Sequence, residues 1–285
     1  MSDKKLAIVT GANSGMGKAT VAALADQGFQ VVMLCRNQQR GEKALQELLE
    51  YENRDISLMT CDLGDMQNIR DFTDEFRKQY KQIDVLINNA GVISLDRRET
   101  VDGLEEQFGV NHIGHFLLTL RLLDLMDKGS RIIVVASGAH KVGKIHFNDI
   151  NLRKGCQLTH VIKAYSQSKL ANILFARELA SRVKERGILV NSCHPGAVAT
   201  SMGINRNTGF GKSITSILKP FFLTPEEGAK SAIYLANSEE GGRVTGKYYY
   251  LNKMSKTSKT AKSKATAKRL FELSEAITGE IFTIE

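Results

Sequence analysis

Tyr165 and Lys169 lie four residues apart in Tyr165-Ser166-Gln167-Ser168-Lys169. On a helix, side chains at i and i+4 stack on one face, so a phenol and an ammonium at this spacing can meet. A free phenol titrates near ~10, too high for a base at neutral pH. One positive charge about 5 Å away, at an effective dielectric of about 20, favours the phenolate by about 3 kcal/mol, or roughly two pKa units. Tyr165 could then pass a proton to or from a substrate oxygen. The same spacing recurs at Tyr249 and Lys253. That stretch reads as a strand, where four residues span roughly 13 Å, so the second pair is expected not to meet. Tyr165, by contrast, opens a helical pattern through Leu170, Ile173, Leu174, Leu179 and Val183.

A second feature suits phosphate. Thr10-Gly11-Ala12-Asn13-Ser14-Gly15-Met16-Gly17 follows an apolar run and precedes a helical pattern. Glycines at these positions permit a tight turn and close backbone approach, and a helix N-terminus offers free N–H groups to a diphosphate. The spacing differs from the usual G-x-G-x-x-G of dinucleotide sites. At the end of the next apolar run stand Cys35, Arg36 and Asn37, with Arg40 beyond and no acid until Glu42. An enzyme that prefers NAD places Asp or Glu there for the ribose 2′-hydroxyl. Arg36 instead suits a 2′-phosphate, and a charge-assisted bond of about 1.5–3 kcal/mol would favour NADP by one to two orders of magnitude. His112 and His115, three apart, lack a carboxylate or thiol at ligand spacing. Packing or hydrogen bonding accounts for them better than metal.

These groups need a frame. Candidate strands fall at 6–10, 30–35, 56–60, 84–88, 131–137, 189–194 and 247–251, alternating with helical patterns near 17–27, 39–51, 66–80, 103–127, 161–185, 225–237 and 262–278. Parallel strands need crossover connections, so the alternation predicts an α/β fold: one doubly wound, Rossmann-type parallel sheet with helices on both faces. No Gly/Ser/Pro-rich linker divides the chain, and 1–285 reads as one domain. Asn111 and Gly114 are poor helix formers inside an apolar helical run and want an explanation, for which a helix break would serve. Two irregular stretches remain: a polar insertion over 138–160 and a Gly-interrupted apolar piece at 200–223, with Met202, Ile204, Phe210, Ile214, Ile217, Leu218, Phe221 and Phe222. Segments of this kind are usually lids or binding loops, and the second predicts a mostly hydrophobic substrate.

Composition sets the remaining bounds. Among 285 residues, 42% are apolar and 25% charged, ordinary for a globular protein and unlike a disordered or collagen-like chain. The net charge of +8 is concentrated: seven cations and no acid occupy 252–269, in an extension spanning 252–279, which leaves the rest almost neutral. That segment lacks interleaved aromatics and any recognition motif, so nucleic acid is not expected as a partner; weak contact with an anionic membrane surface stays open. The apolar run at 6–9 is too short for a signal-peptide core, no window approaches a membrane span, and four scattered cysteines favour a reducing compartment. A cytoplasmic protein is expected.

Taken in order, Thr10-Gly11-x-x-x-Gly15-x-Gly17, Asn88-Asn89-Ala90-Gly91, Tyr165-x-x-x-Lys169 and Pro195-Gly196 resemble the short-chain dehydrogenase/reductase family. Asn111-His112-Ile113-Gly114-His115-Phe116, Tyr165 through Asn172 and His194-Pro195-Gly196 are similar to its retinol-dehydrogenase-like branch, which includes the WW-domain oxidoreductases. The resemblance implies a catalytic set of Asn111, Ser137, Tyr165 and Lys169. Tyr165 would be the general acid/base, and Lys169 would depress its pKa and hold the nicotinamide ribose. Ser137 would bind the substrate oxygen, and Asn111 would hold a water relaying protons from Lys169. Asp62 and Leu63 would contact adenine, and Asn89, Ala90 and Gly91 would line the adenosine side. Pro195, Gly196, Val198 and Thr200 would hold the carboxamide end. The expected activity is hydride transfer between NADP(H) and a carbonyl or alcohol carbon of an aldehyde, ketone, retinoid or steroid-like molecule. Family members pair through the helix bearing the Tyr and Lys, which implies a homodimer or homotetramer. An NADP-sensing or scaffold protein on the same fold is the alternative.

Overall fold

The computed structural model describes residues 4–51, 53–154, 157–196 and 223–283. Strands β1 (Leu6–Thr10), β2 (Gln30–Cys35), β3 (Asp55–Thr60), β4 (Val85–Asn88), β5 (Arg131–Val135), β6 (Leu189–His194), β7 (Tyr248–Tyr250) and β8 (Lys253–Met254) join one sheet. Their order is β3-β2-β1-β4-β5-β6-β7-β8. The first seven run parallel and β8 pairs antiparallel with β7.

Both faces of the sheet are covered, and the strand sequences show why. Alternate residues point to opposite faces, and here both sets are apolar. Leu6, Ile8, Val32, Leu34, Leu86, Ile132 and Val134 belong to one core; Ala7, Val9, Val31, Met33, Val85, Ile87, Ile133 and Val135 belong to the other. Near-continuous apolar strands are what a parallel sheet between two helical layers requires. Helices α1 (Gly15–Asp26) and α2 (Gln38–Leu49) lie on one side with α7 (Pro225–Asn237). The other side carries α3 (Met66–Gln79), α5 (Gly114–Leu122), α6 (Gln157–Arg182) and α8 (Lys264–Thr278). Short α4 (Glu106–Phe108) leads into α5 through a single π-turn, Gly109–Ile113. The doubly wound fold expected from the alternation is the one formed.

The structure refines three expectations. The helix is not broken at Asn111 and Gly114: it continues through the π-turn, and Gly114 is needed because a Cβ there would collide with the Leu63 backbone. The strand expected at 247–251 forms as β7, but it leads straight into a hairpin. Leu251 and Asn252, both at positive φ, turn the chain back into β8. Tyr249 and Lys253 therefore fail to meet through pairing rather than distance. Tyr249 faces Met254 with its hydroxyl on Glu240, while Lys253 lies exposed opposite Tyr250. Finally, the helix expected over 262–278 forms as α8 and is partly core. Its seven cations are exposed, but Ala267, Leu270, Phe271 and Ser274 of α8 are buried. Phe271 packs edge-on to Phe116 at 4.9 Å, and Ser274 bonds His112, so α8 covers the outer face of α5 and α6. Val198, Thr200 and the expected lid, apart from Leu223, lie outside the described residues.

Candidate active site

The strand order places a topological switch between β1 and β4: the chain runs β1, β2, β3 outward, then returns to the far side of β1. Such a crevice at the carboxyl ends of the strands is where open α/β sheets bind ligands. Thr10, the last residue of β1, ties its two walls together. Its hydroxyl accepts the N–H groups of Asn89 and Ala90, both at 2.9 Å, and its carbonyl accepts Asn89 Nδ2 at 2.8 Å.

The glycines around this knot have no room for a side chain. Gly11, at φ +65°, would place a Cβ 2.9 Å from Ala90 Cα, and Gly17 would strike the Gly11 carbonyl and Asn89. A Cβ at Gly91 would lie 3.3 Å from Lys169 Nζ and 3.4 Å from Asn111 Oδ1. At Gly11 and Gly17 the missing side chain lets the turn pack directly on the 89–90 wall. Ser14 is the N-cap of α1 yet makes no side-chain cap bond, and the first turn, with Gly15, Met16 and Gly17, carries no acid. The free N–H groups and partial positive charge there suit a diphosphate. Asn13 lies in the turn itself, where its amide and that of Ala12 face the buried Cys35 thiol.

At the β2 end Arg36 is exposed, with Nε 4.0 Å from Asp62 Oδ2. An ion pair this open is worth under about 1 kcal/mol and is readily exchanged for a phosphate. Next to it, the Asn37 side-chain oxygen caps α2 by accepting the Arg40 N–H at 2.9 Å, which leaves its remaining polar groups for a ligand. Asp62 accepts the Gly64 N–H at 2.9 Å, and Leu63 is buried under Gly114. The exposed Arg36 guanidinium and a helix N-terminus with no acid in its first turn fit a phosphorylated dinucleotide.

Across the crevice, Ser137 stands two residues beyond the end of β5; its hydroxyl accepts the Ala139 N–H at 3.2 Å and lies close enough to the Tyr165 hydroxyl to favour its phenolate. Tyr165 and Lys169 both project from α6, and Lys169 Nζ lies 5.7 Å from the phenol ring centre. The helical pair meets, as its spacing requires. Its electrostatics depart from the simple estimate. Burial pushes the Tyr165 phenol up, and the Ser137 bond pulls it down only in part. Lys169, 3% exposed, is itself held down to about 8 by burial, with Nζ donating to the Val135 carbonyl at 3.3 Å. A nearby ammonium lowers a phenol only as far as it outweighs the desolvation both groups share.

Asn111 is placed beside Lys169, but its side chain works as a clamp. Oδ1 accepts the Val92 N–H at 2.7 Å, while Nδ2 donates to the Val92 carbonyl at 3.0 Å and to Ser168 Oγ at 3.1 Å. Pro195 and Gly196 follow β6, with Gly196 at φ +85° and its N–H donated to His194 Nδ1 at 3.0 Å. Sequence reasoning missed three supports. Thr10 is the hub just described. His194 stacks on Tyr250 with ring centres 4.2 Å apart. His140 donates Nδ1–H to the Ser137 carbonyl at 2.7 Å and receives the Ser258 N–H, so the C-terminal segment reaches beneath the serine. Proximity of His140 and His194 to the motif residues was the available signal; their partners were not. No group of three or more His, Cys, Asp or Glu among the described residues could hold a metal.

Residues 5–149 and 153–210 match the short chain dehydrogenase family, and with this fold and crevice the chain belongs to that family of oxidoreductases. Within it the chain falls in the retinol-dehydrogenase-like branch. It is 38% identical to retinol dehydrogenase 14 of Homo sapiens over 299 residues, covering 96% of this chain and 86% of that one. It is 39% identical to Homo sapiens retinol dehydrogenase 13 over 284 residues, covering 96% and 85%. Among solved structures it is similar to an uncharacterized protein from Mycobacterium Paratuberculosis (31% identity, TM-score 0.78, 98% and 95% covered). It is also similar to a blue fluorescent protein from a metagenomic library in complex with NADPH (26% identity, TM-score 0.67, 86% and 94% covered).

Proposed function

We propose that this chain is an NADP(H)-dependent oxidoreductase that acts on a carbonyl or alcohol carbon of a mostly hydrophobic substrate. One observation carries the reading: Ser137, Tyr165 and buried Lys169 converge at the mouth of a crevice whose opposite wall is a glycine turn under a helix N-terminus. A nicotinamide dinucleotide, when bound, supplies or takes the hydride. Gly11 to Gly17 would hold the diphosphate, Asn89 to Gly91 with Asp62 and Leu63 the adenosine, Arg36 the 2′-phosphate, and Pro195, Gly196, Val198 and Thr200 the carboxamide end.

The chain's own residues then handle the substrate oxygen. Ser137 Oγ donates a hydrogen bond that fixes it, and the Tyr165 hydroxyl gives or receives its proton. Lys169 offsets the charge that develops on the phenolate, in a site dry enough for that charge to count. Asn111 fixes the backbone at Val92 beside Lys169. The retinol-dehydrogenase names of the relatives and the apolar sequence at 200–223 support an aldehyde, ketone, retinoid or steroid-like substrate.

The described cysteines, Cys35, Cys61 and Cys193, are free and buried, which supports a reducing compartment such as the cytoplasm. No helix among the described residues is long and apolar enough to cross a membrane. The seven exposed cations leave room for weak contact with an anionic surface. A homodimer using the outer face of α5 and α6 would have to share it with α8.

The test is steady-state NADPH oxidation against a panel of hydrophobic aldehydes and ketones, with Tyr165→Phe alongside. Turnover should fall at least 100-fold in the variant, the scale of lost general acid catalysis, with NADPH affinity kept. Unchanged turnover would sink the mechanism. NADPH binding without turnover of any carbonyl would favour the sensor reading.

A further inference from the structure

His115 is 1% exposed and makes two directional bonds, one back to its own helix and one across to the end of β1. Its Nδ1 lies 3.1 Å from the main-chain oxygen of Asn111, and its Nε2 lies 2.8 Å from Thr10 Oγ1. The proton positions follow from counting. A carbonyl oxygen only accepts, so Nδ1 carries the hydrogen. The Thr10 hydroxyl accepts two N–H groups, from Asn89 and Ala90, which leaves its single proton to give. Two acceptors are in reach, His115 Nε2 at 2.8 Å and the Ile87 carbonyl at 3.4 Å, and the nearer one takes it. Both ends thus demand the same neutral tautomer, with hydrogen on Nδ1 and a lone pair on Nε2.

From this we infer that His115 is a positioning residue for the nucleotide: it fixes the Thr10 hydroxyl, and with it the 89–91 wall, in one frame with Asn111. The inference rests on the oxidoreductase reading above. Protonation of His115 would turn Nε2–H against a hydroxyl with no lone pair to spare and force out the Asn89 or Ala90 bond. The surroundings oppose that event. Burial holds the ring down to about 4, and the Lys169 ammonium acts in the same direction. The adjacent His112 ring, also buried, faces it from the π-turn. A histidine that only filled space would need no defined tautomer. It would also lack a bond to the end of β1, 105 residues away.

The experiment has two arms. In the first, NADPH dissociation constants, kcat and KM are measured for wild type, His115→Phe, which keeps a ring but no polar atom, and His115→Gln, whose amide keeps an acceptor near the Nε2 position. His115→Phe should weaken NADPH binding roughly 10- to 100-fold, the equivalent of one lost buried hydrogen bond and its unpaired partners. His115→Gln should recover a substantial part of that loss. Thr10→Val also strips the acceptor from the Asn89 and Ala90 N–H groups, so it should weaken binding more than His115→Phe does, and adding His115→Phe to Thr10→Val should cost little further. The second arm does not depend on any variant's fold: nitrogen-15 NMR of the wild-type imidazoles, with His115→Gln only for assignment, should show His115 as the Nδ1–H tautomer from pH 8 to pH 5. If wild type binds no nicotinamide nucleotide, the oxidoreductase reading falls and takes this role with it. If wild type binds and turns over while His115→Phe keeps full NADPH affinity, or if His115 carries its proton on Nε2, the positioning role alone is overturned.

Discussion

Lys169 carries the largest electrostatic penalty in the site. Its ammonium is 3% exposed and its pKa is held down to about 8, against roughly 10.4 in an unfolded chain. Below pH 8 both states are charged and the folded one bears the full desolvation penalty, on the order of 3 kcal/mol as an upper bound. As pH rises from 8 towards 10.4, the folded form releases its proton first and the penalty fades. Lys169→Met should therefore be inactive yet more stable than wild type in urea at pH 7, with the gain shrinking by pH 10. The Val135 carbonyl would keep its bond from Asn172, so the substitution orphans nothing there. A variant less stable than wild type at pH 7 would mean that the ammonium is better solvated than its burial implies. Arg36 is the opposite case, exposed and weakly paired to Asp62. Arg36→Asp should lower NADPH affinity by one to two orders of magnitude and raise that for NADH, read by fluorescence titration of both. An unchanged ratio would place the 2′-phosphate elsewhere.

At the scale of elements, the helix bearing Asn111 shows why propensity alone misleads. Asn and Gly within an apolar helical run look like a break. Here the π-turn rotates Asn111 towards Val92 and Ser168, and Gly114 admits the backbone of Leu63. Gly114→Ala sets two effects against each other. Alanine is the better helix former by about 1 kcal/mol. Its Cβ, however, would meet backbone, which cannot swing away as a side chain can, and overpacking of this kind costs about 1–3 kcal/mol. The clash should win: we expect a lower Tm together with weaker NADPH binding, since Leu63 adjoins Asp62. A stabilised variant would show that the helix and the 62–64 segment can part without strain. The β7–β8 hairpin teaches the same lesson at the sheet edge. A Tyr-Lys spacing found there is inert because pairing sends Tyr249 to Glu240 and Lys253 to solvent.

For the molecule as a whole, the buried histidines set the acid limit. Burial holds His112 down to about 3 and His115 to about 4, against an unfolded value near 6.5. Between those values the unfolded chain binds protons that the native one refuses, so stability is complete above pH 6.5 and falls as pH drops towards 4. Each contributes roughly 1.4 kcal/mol per pH unit, about 3 kcal/mol together near pH 5.5. Urea midpoints measured from pH 7.5 to 4.5 should decline from about pH 6.5; a flat profile down to the carboxylate range would contradict the burial of these rings. The sequence alone determined the alternation of strands and helices, the glycine turn, and the spacing of Tyr165 and Lys169, because periodicity, turn geometry and i,i+4 contact are local. The basic segment was legible as charge, and its cations do face solvent, but α8 behind them is core. Only the tertiary structure decided that part, along with the tautomer of His115, the bond from His112 to Ser274 and the depression of Lys169. Thr10 and His115 are 105 residues apart and His112 and Ser274 are 162 apart. Hydrogen-bond partners and desolvation depend on which distant segments arrive at the same place, and no short stretch of sequence carries that information.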